Sequence, residues 1–552
     1  MFIKKSQYKG IFMACIMLAV VGGQANASAN WNANAINQLQ MKVGATVSGL
    51  PESQRMALLE FYKSPTVVLL WSDQNGRLAR AGELRQMLQQ SMTHGLDPSP
   101  YRLQEIETYW GKNDVSSAVA LEMLLSQALL TYANELYSGR YAPHDVDKEW
   151  HMKPRVLDNS KLLLDVSGQL SITDTLSDLA PSHSIYSALQ KRLAEYRQLP
   201  EQGGWPVIAK GPTLRPGMQH EQIKQIRQRL SVTGDLQDAG QMASPVFDDT
   251  LVAAVKHYQT RNGLHADGII GNGTRAAMNI PVEQRVIQMR INLERWRWLP
   301  LEFRGHSFVV NMTGYMLYSF QDHEIVLEMP VIVGKKYRST PSFNNLMSYV
   351  ELNPYWNVPT SIAVKDLIPA QKRNSGYLKK KHIRVFRGWK KDAKELDPAT
   401  VDWSKVSEKH FPYRLRQDPG PHNALGTMKF MFPNKYAIYL HDTPHRELFK
   451  RHDRAFSSGC IRVQDPLYLA TYVMGDTSAA GRARIEKLLA TGKNQALRLP
   501  KKIPIYLVYT TSWVDRKGNL NFRKDIYGRD KRMLAAVCKN RPKKCEKAQI
   551  SY

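Results

Sequence analysis

The chain has 552 residues, enough for about three or four domains with cores of their own. Its composition, 43% hydrophobic and 23% charged, is that of a globular protein and not of a disordered one. The balance of 76 Lys and Arg against 49 Asp and Glu gives +27, but the excess is spread along the chain and is denser only at Lys379-Lys380-Lys381-His382 and from Lys539 to Lys547, so charge alone locates no site.

Lys4, Lys5 and Lys9 precede an apolar run from Ile11 to Val21, and Ala25-Asn26-Ala27 offers a cleavage site. This predicts a secretory signal peptide over 1–27. An uncleaved anchor is the alternative, but the run is about half of the roughly 20 residues a span needs. Cys15 precedes most of the apolar core, which fits a lipobox poorly. No later stretch is expected to span a bilayer, so the membrane is met only through the signal peptide before cleavage. In a cytosolic protein +27 would suggest nucleic acid. Export argues against that and favours an anionic polymer outside the cytoplasm; peptidoglycan, rich in peptide carboxylates, fits.

Residues 28–210 are predicted to be a helical scaffold. Leu121, Leu124, Leu125, Ala128, Leu129 and Leu136 recur at helical spacing before Gly139, as do Leu84, Met87, Leu88 and Met92 before Gly95. A compact unit over 213–283 follows. Ile223, Ile226 and Leu230 share a helical face; Leu251, Ala254, Val255 and Tyr258 share a second; a third helix is expected up to Met278. Val255-Lys256-His257-Tyr258-Gln259, Gly263-Leu264, Asp267-Gly268-Ile269-Ile270-Gly271 and Thr274 resemble the peptidoglycan-binding domain 1 family. That resemblance implies a three-helix module contacting glycan; a packing module without glycan affinity is the alternative.

From 301 to 528 the pattern turns to strands: His306 to Asn311, Tyr315 to Phe320 and Glu324 to Val333, then a hairpin of Ile503 to Thr511 with Leu520 to Asp525. Between them an insertion over 355–419 is read as a lid or a surface elaboration. A basic tail is expected over 529–552, where Cys538 and Cys545 are close enough to pair. That pairing leaves Cys460 over.

An odd thiol in an exported protein is a candidate nucleophile. Cys460 follows Ser457-Ser458-Gly459, whose small polar residues suit an exposed turn, and lies nineteen positions after His441 at the end of an expected strand from Tyr436. Asp465-Pro466 is expected to start a helix. An ordinary thiol is only a few per cent thiolate at neutral pH. A histidine within reach takes its proton and returns it to a leaving amine. Gly459 allows close approach to a tetrahedral oxygen, with N–H groups around Ser458 to Cys460 as an oxyanion hole. Arg462 shares a face with Cys460 in extended backbone and is expected to favour thiolate or bind a substrate carboxylate. His441, His445, His452 and Cys460 form a weak zinc alternative, because Pro444 breaks the helical spacing. No metal and no cofactor is expected.

His441, then Ser457-Ser458-Gly459-Cys460 and Arg462, resemble the L,D-transpeptidase (YkuD-fold) family. The order of segments, with Asn353-Pro354-Tyr355-Trp356-Asn357-Val358-Pro359 and Tyr439-Leu440-His441-Asp442-Thr443-Pro444, is similar to the YcbB type. Ser458 stands where many members carry a second histidine. The resemblance implies a multidomain α+β chain with a mainly β catalytic domain, Cys460 as nucleophile and His441 as base. It implies formation of 3–3 cross-links through a thioester with release of terminal D-Ala from a tetrapeptide stem, and acylation by carbapenems. Tyr439 and Trp356 are expected to line the donor site, or only to pack. The expected partners are peptidoglycan stem peptides and glycan, with other wall-synthesis enzymes, and the expected location is the periplasm. Hydrolysis by water, as a carboxypeptidase or endopeptidase, and a non-catalytic wall-binding scaffold are the alternatives.

Overall fold

The computed structural model describes residues 30–539 apart from 169–170, 238–241, 304 and 323. The expected signal peptide and Cys545 lie outside them. The chain divides into two compact units, one of 30–142, 154–197 and 289–301, the other of 143–153, 198–288 and the remainder from 302. The expected break near 210 is therefore not where the units divide: segment 143–153 belongs with the residues from 302 on, and 289–301 with the helices.

The first unit is helical. Its central helix, Val115–Ser138, starts at an Asp114 cap that accepts the Ser117 amide and stops at Gly139, whose φ is +87°. Contrary to expectation, this helix is long and apolar enough to cross a membrane, but most of it is buried inside the unit. Apolar residues all round a helix suit a core position equally well. Leu121, Leu125 and Leu129 are fully buried, and so is Glu122, which accepts the Trp71 amide at 3.1 Å and the Tyr62 hydroxyl at 2.9 Å.

In the second unit, helices Gln222–Val232, Asp249–Arg261 and Asn272–Met278 close around Ile226, Leu251, Val255 and Ile270. This module leans on a hairpin of Ser512–Val514 and Leu520–Phe522. Arg261 donates to Leu520 O, Arg523 donates to Arg261 O at 2.9 Å, and a Cβ on Gly263 would lie 2.6 Å from Arg523 Cδ. The glycine of the family motif thus permits close packing on the hairpin.

Among the described residues nine strands form the main sheet. We number them β1 (His306–Asn311), β2 (Met316–Gln321), β3 (Glu324–Gly334), β4 (Asn344–Leu352), β5 (Met428–Met431), β6 (Leu440–His441), β7 (Ala455–Ser457), β8 (Ile461–Val463) and β9 (Gln495–Val508). Their order is β7-β3-β8-β6-β5-β4-β9-β1-β2, and β2 also pairs with β3. The sheet closes because β3 is long: it pairs with β2 up to Pro330 and with β8 at Val331 and Ile332. Two expectations change. Ile503 to Val508 belongs to β9, parallel to β1, so the late hairpin takes Ser512–Val514 instead. The expected tail begins as a helix, Arg529–Lys539, with Arg529 and Asp530 fully buried and Arg529 bonded to Ser342 Oγ at 2.7 Å and Thr340 O at 2.9 Å.

The insertion forms a small subdomain. Trp356–Asn357, Tyr413–Gln417, Ile383–Arg387 and Glu395–Leu396 make a four-stranded sheet over a core of Val358, Ala363, Leu378, Val385 and Leu415.

Candidate active site

β6 and β8 are parallel, with Leu440 opposite Ile461 and His441 opposite Arg462. Leu440 and Ile461 are fully buried in the core. Side chains alternate along a strand, so Tyr439, His441, Cys460 and Arg462 share the other face. Pairing of β5 with β6 and β4 extends the rank of His441 into Arg462, His441, Lys429 and Glu351. Of these, Arg462, His441 and Lys429 open on a cavity of about 730 Å³, one wall of which comes from the insertion through Tyr355, Trp356, Pro359, Ile362 and Lys365. All seven residues singled out from the sequence, Cys460, His441, Gly459, Ser458, Arg462, Tyr439 and Trp356, line this one cavity.

Cys460 is a free cysteine, whereas Cys538 is disulfide-bonded. A three-residue strand, β8, separates Cys460 from the helix Pro466–Val473, whose Asp465 cap accepts the Tyr468 amide at 2.9 Å. The expected strand Tyr436 to His441 shrinks to β6. Asn434 replaces the ladder: its Nδ2 donates to Phe432 O and Ile438 O, both 2.7 Å, and its Oδ1 accepts the Tyr436 and Ile438 amides. Ala437 then takes φ +54° and presents its carbonyl to the thiol, which donates to it at 3.5 Å. Among the described hydrogen bonds none joins Cys460 to His441. The two share a face and a cavity.

Gly459 has φ +118°, and a Cβ there would lie 3.3 Å from Ile438 Cδ1. Its carbonyl accepts from the fully buried Thr340 Oγ1 at 2.7 Å and its amide donates to Ser457 Oγ at 3.2 Å. The Gly459 amide is therefore spent within the loop. The amides of Ser458 and Cys460, from which no hydrogen bond is donated among the described residues, remain as oxyanion donors. Ser458 Oγ accepts from Arg338 at 3.0 Å, and Arg338 also pairs with Asp366 of the insertion, Nη2 to Oδ1 at 2.9 Å.

His441 donates Nδ1–H to Asp442 O at 2.5 Å, which leaves the lone pair on Nε2. Burial drives this imidazole down to about 3, with the nearby Arg462 and Lys429 charges adding to the effect and the Asp442 and Leu425 carbonyls opposing it. Cys460 is half-exposed to the cavity but closely surrounded by protein. Burial raises its thiol above the ordinary 9.0, and hydrogen bonds from Tyr439 with the charges of Lys429 and Arg462 only partly offset that. The resting pair is neutral thiol and neutral imidazole. Alkylation of Cys460 by iodoacetamide is accordingly expected to accelerate about tenfold per pH unit from pH 7 through 9. A rate plateau below pH 8 would contradict this.

Sequence reasoning did not single out Lys429, Thr340, Arg338 or Asn434, and quoted Asp442 without giving it a task. Lys429 carries no local signal, since only strand register brings it beside His441. Asp442 adjoins a candidate base, which was signal enough to examine it.

A helical unit, a three-helix module and a closed, mainly β domain with a thiol-lined cavity define a multidomain α+β protein with a YkuD-like catalytic domain. Residues 305–486 match the YkuD family, described as the L,D-transpeptidase catalytic domain; residues 219–278 match PG_binding_1, "Putative peptidoglycan binding domain"; and residues 56–193 match a "Scaffold domain". The chain thus carries a YkuD-family L,D-transpeptidase domain together with a peptidoglycan-binding domain 1 module. A Haemophilus influenzae protein described as "Putative L,D-transpeptidase" is 36% identical over 249 residues, 45% of this chain. The match spans about half of that relative's length, 49%. The fold search also finds the L,D-transpeptidases of Xylanimonas cellulosilytica (13% identity, 54% of this chain and 99% of that one, TM-score 0.16) and Stackebrandtia nassauensis (13%, 55% and 96%, 0.21). TM-scores this low carry no part of the assignment.

Proposed function

We propose that the protein is a peptidoglycan L,D-transpeptidase that forms 3–3 cross-links through a thioester on Cys460. The observation that carries this reading is the placement of Cys460 and His441 on one face of β6 and β8, at the floor of the cavity, inside the matched catalytic domain. The sulfur attacks the carbonyl of the third residue of a tetrapeptide stem. The amide C–N bond breaks, His441 passes the thiol proton to the leaving amine, and terminal D-Ala departs. The side-chain amine of a second stem's diamino acid then attacks the thioester, a new amide forms, and the proton returns to sulfur. No electrons change hands.

The insertion's wall over the cavity supports transfer over hydrolysis, because limiting water favours the amine as acceptor. The module at 219–278 supports peptidoglycan as partner; other wall-synthesis enzymes are proposed partners. The periplasm is the proposed location, from the sequence of the first 27 residues. The test is intact-mass analysis with tetrapeptide stems and with a carbapenem. Wild type is expected to gain one acyl group and to yield cross-linked dimers from stems, while Cys460→Ala gains none. An undiminished adduct on Cys460→Ala would overturn the reading.

A further inference from the structure

Resting on the transpeptidase reading, we propose that Lys429, acting with Arg462, is a specificity-determining residue that binds the carboxylate of the residue leaving the donor, so that the site accepts only a free chain end. The geometry is that of the sheet. Arg462 and Lys429 are the register neighbours of His441 on either side, on β8 and β5. Neighbouring strands lie about 4.8 Å apart, so both cations flank the ring.

The cavity wall carries four cationic side chains, Arg338, Lys365, Lys429 and Arg462, and no Asp or Glu lines it. Two of the four are already engaged by the insertion's carboxylates, Arg338 by Asp366 and Lys365 by Glu408 at 3.1 Å. The other two hold no carboxylate of the insertion. The Arg462 side chain makes no hydrogen bond or ion pair among the described residues, and its Nε is buried without a partner. Lys429 lies over the Tyr439 ring at 4.3 Å and reaches Glu351 only at 3.7 Å, a separation longer than a charge-assisted hydrogen bond.

Chemistry then places the ligand. In a C-terminal residue the amine and the carboxylate share one carbon. A ring that hands its proton to the departing amine has that carboxylate next to it, in the space these cations flank. An anion held there also offsets the positive charge that adds to burial in keeping His441 a weak base, so the donor improves the base that acts on it. A donor extended by one residue, or capped as an amide, brings no charge to this position, leaves Arg462 without an anion and leaves Lys429 with Glu351 alone.

The experiment compares a tetrapeptide stem carrying a free C-terminal carboxylate with its C-terminal carboxamide, following acylation of Cys460 in the full-length protein by intact mass. Wild type is expected to favour the free acid by about tenfold or more in kcat/KM. Lys429→Met should remove most of that preference, so that the acid-to-amide ratio falls toward one whatever change the two donors share, and Lys429→Arg should restore it. Equal acylation of wild type by both donors overturns the proposal and leaves the transpeptidase reading standing. Slowing of both donors alike by Lys429→Met also overturns it, marking Lys429 as merely structural. Failure of both donors to acylate wild type removes the transpeptidase reading and this proposal together.

Discussion

Replacing His441 with alanine is expected to slow acylation of Cys460 by stems about 10²–10⁴-fold at neutral pH. The reason is the pair of resting states. Burial holds the thiol above its ordinary range and drives the imidazole down to about 3. Without the ring, the sulfur has no partner for its proton until the solvent becomes basic enough to remove it. The loss should therefore shrink as pH rises, because thiolate formed by hydroxide needs no base. A variant that had only lost its fold would show no such recovery. In wild type the sign runs the other way: with His441 neutral above about pH 4, protonation of this ring produces no fall in kcat/KM between pH 8 and 5. D-Ala release measured across that range, for wild type and His441→Ala, checks both statements. A deficit that stays constant from pH 7 to 10 would rule out the assigned role.

The candidate nucleophile was legible because its signals are local. A thiol between Gly459 and Ile461, an upstream histidine and an N-terminal stretch that reads as an export signal all lie on the surface of the sequence, and the structure brings every residue selected on those grounds to one cavity. What stayed hidden depends on pairing between distant segments. Ile503 to Val508 alternates well enough to look like half of a hairpin, and only its partners, β1 and β4, show it to be an interior strand. Lys429 is 78 residues from Glu351 and 33 from Arg462, yet all three sit in one rank because β5 lies between β4 and β6. Val115–Ser138 illustrates the reverse difficulty: a largely apolar helix has a similar composition in a lipid bilayer and in a protein core. The insertion was visible as a length but not as a subdomain, since its core is assembled from both ends of the segment, Val358 and Leu415.

Asp442→Ala is expected to cost about 1–3 kcal/mol and to depress turnover with it. This carboxylate is only 4% exposed. Oδ1 accepts from the Thr443 amide at 2.7 Å and from Arg446 at 2.8 Å; Oδ2 accepts from the Thr427 amide and the Thr427 hydroxyl, both at 2.9 Å. Four donors lose their acceptor at once if it is removed; the amide of the buried Thr443 is the costly one, whereas the donors of Arg446 and Thr427 belong to exposed residues. The loop it holds cannot easily find another seat. Gly426 has φ +62° and lies so close to the Asp442 carboxylate that a Cβ there would overlap it. The same loop supplies the Leu425 carbonyl beside His441, and the Asp442 carbonyl itself fixes Nδ1. Asp442 therefore acts through the base, as a positioning residue. Asp442→Asn keeps the shape and one acceptor oxygen, so thermal melting should rank wild type, Asn and Ala in falling order, and kcat should follow that order more steeply than KM. Wild-type kcat in a properly folded Asp442→Asn, with only KM raised, would place the carboxylate against substrate instead of behind His441.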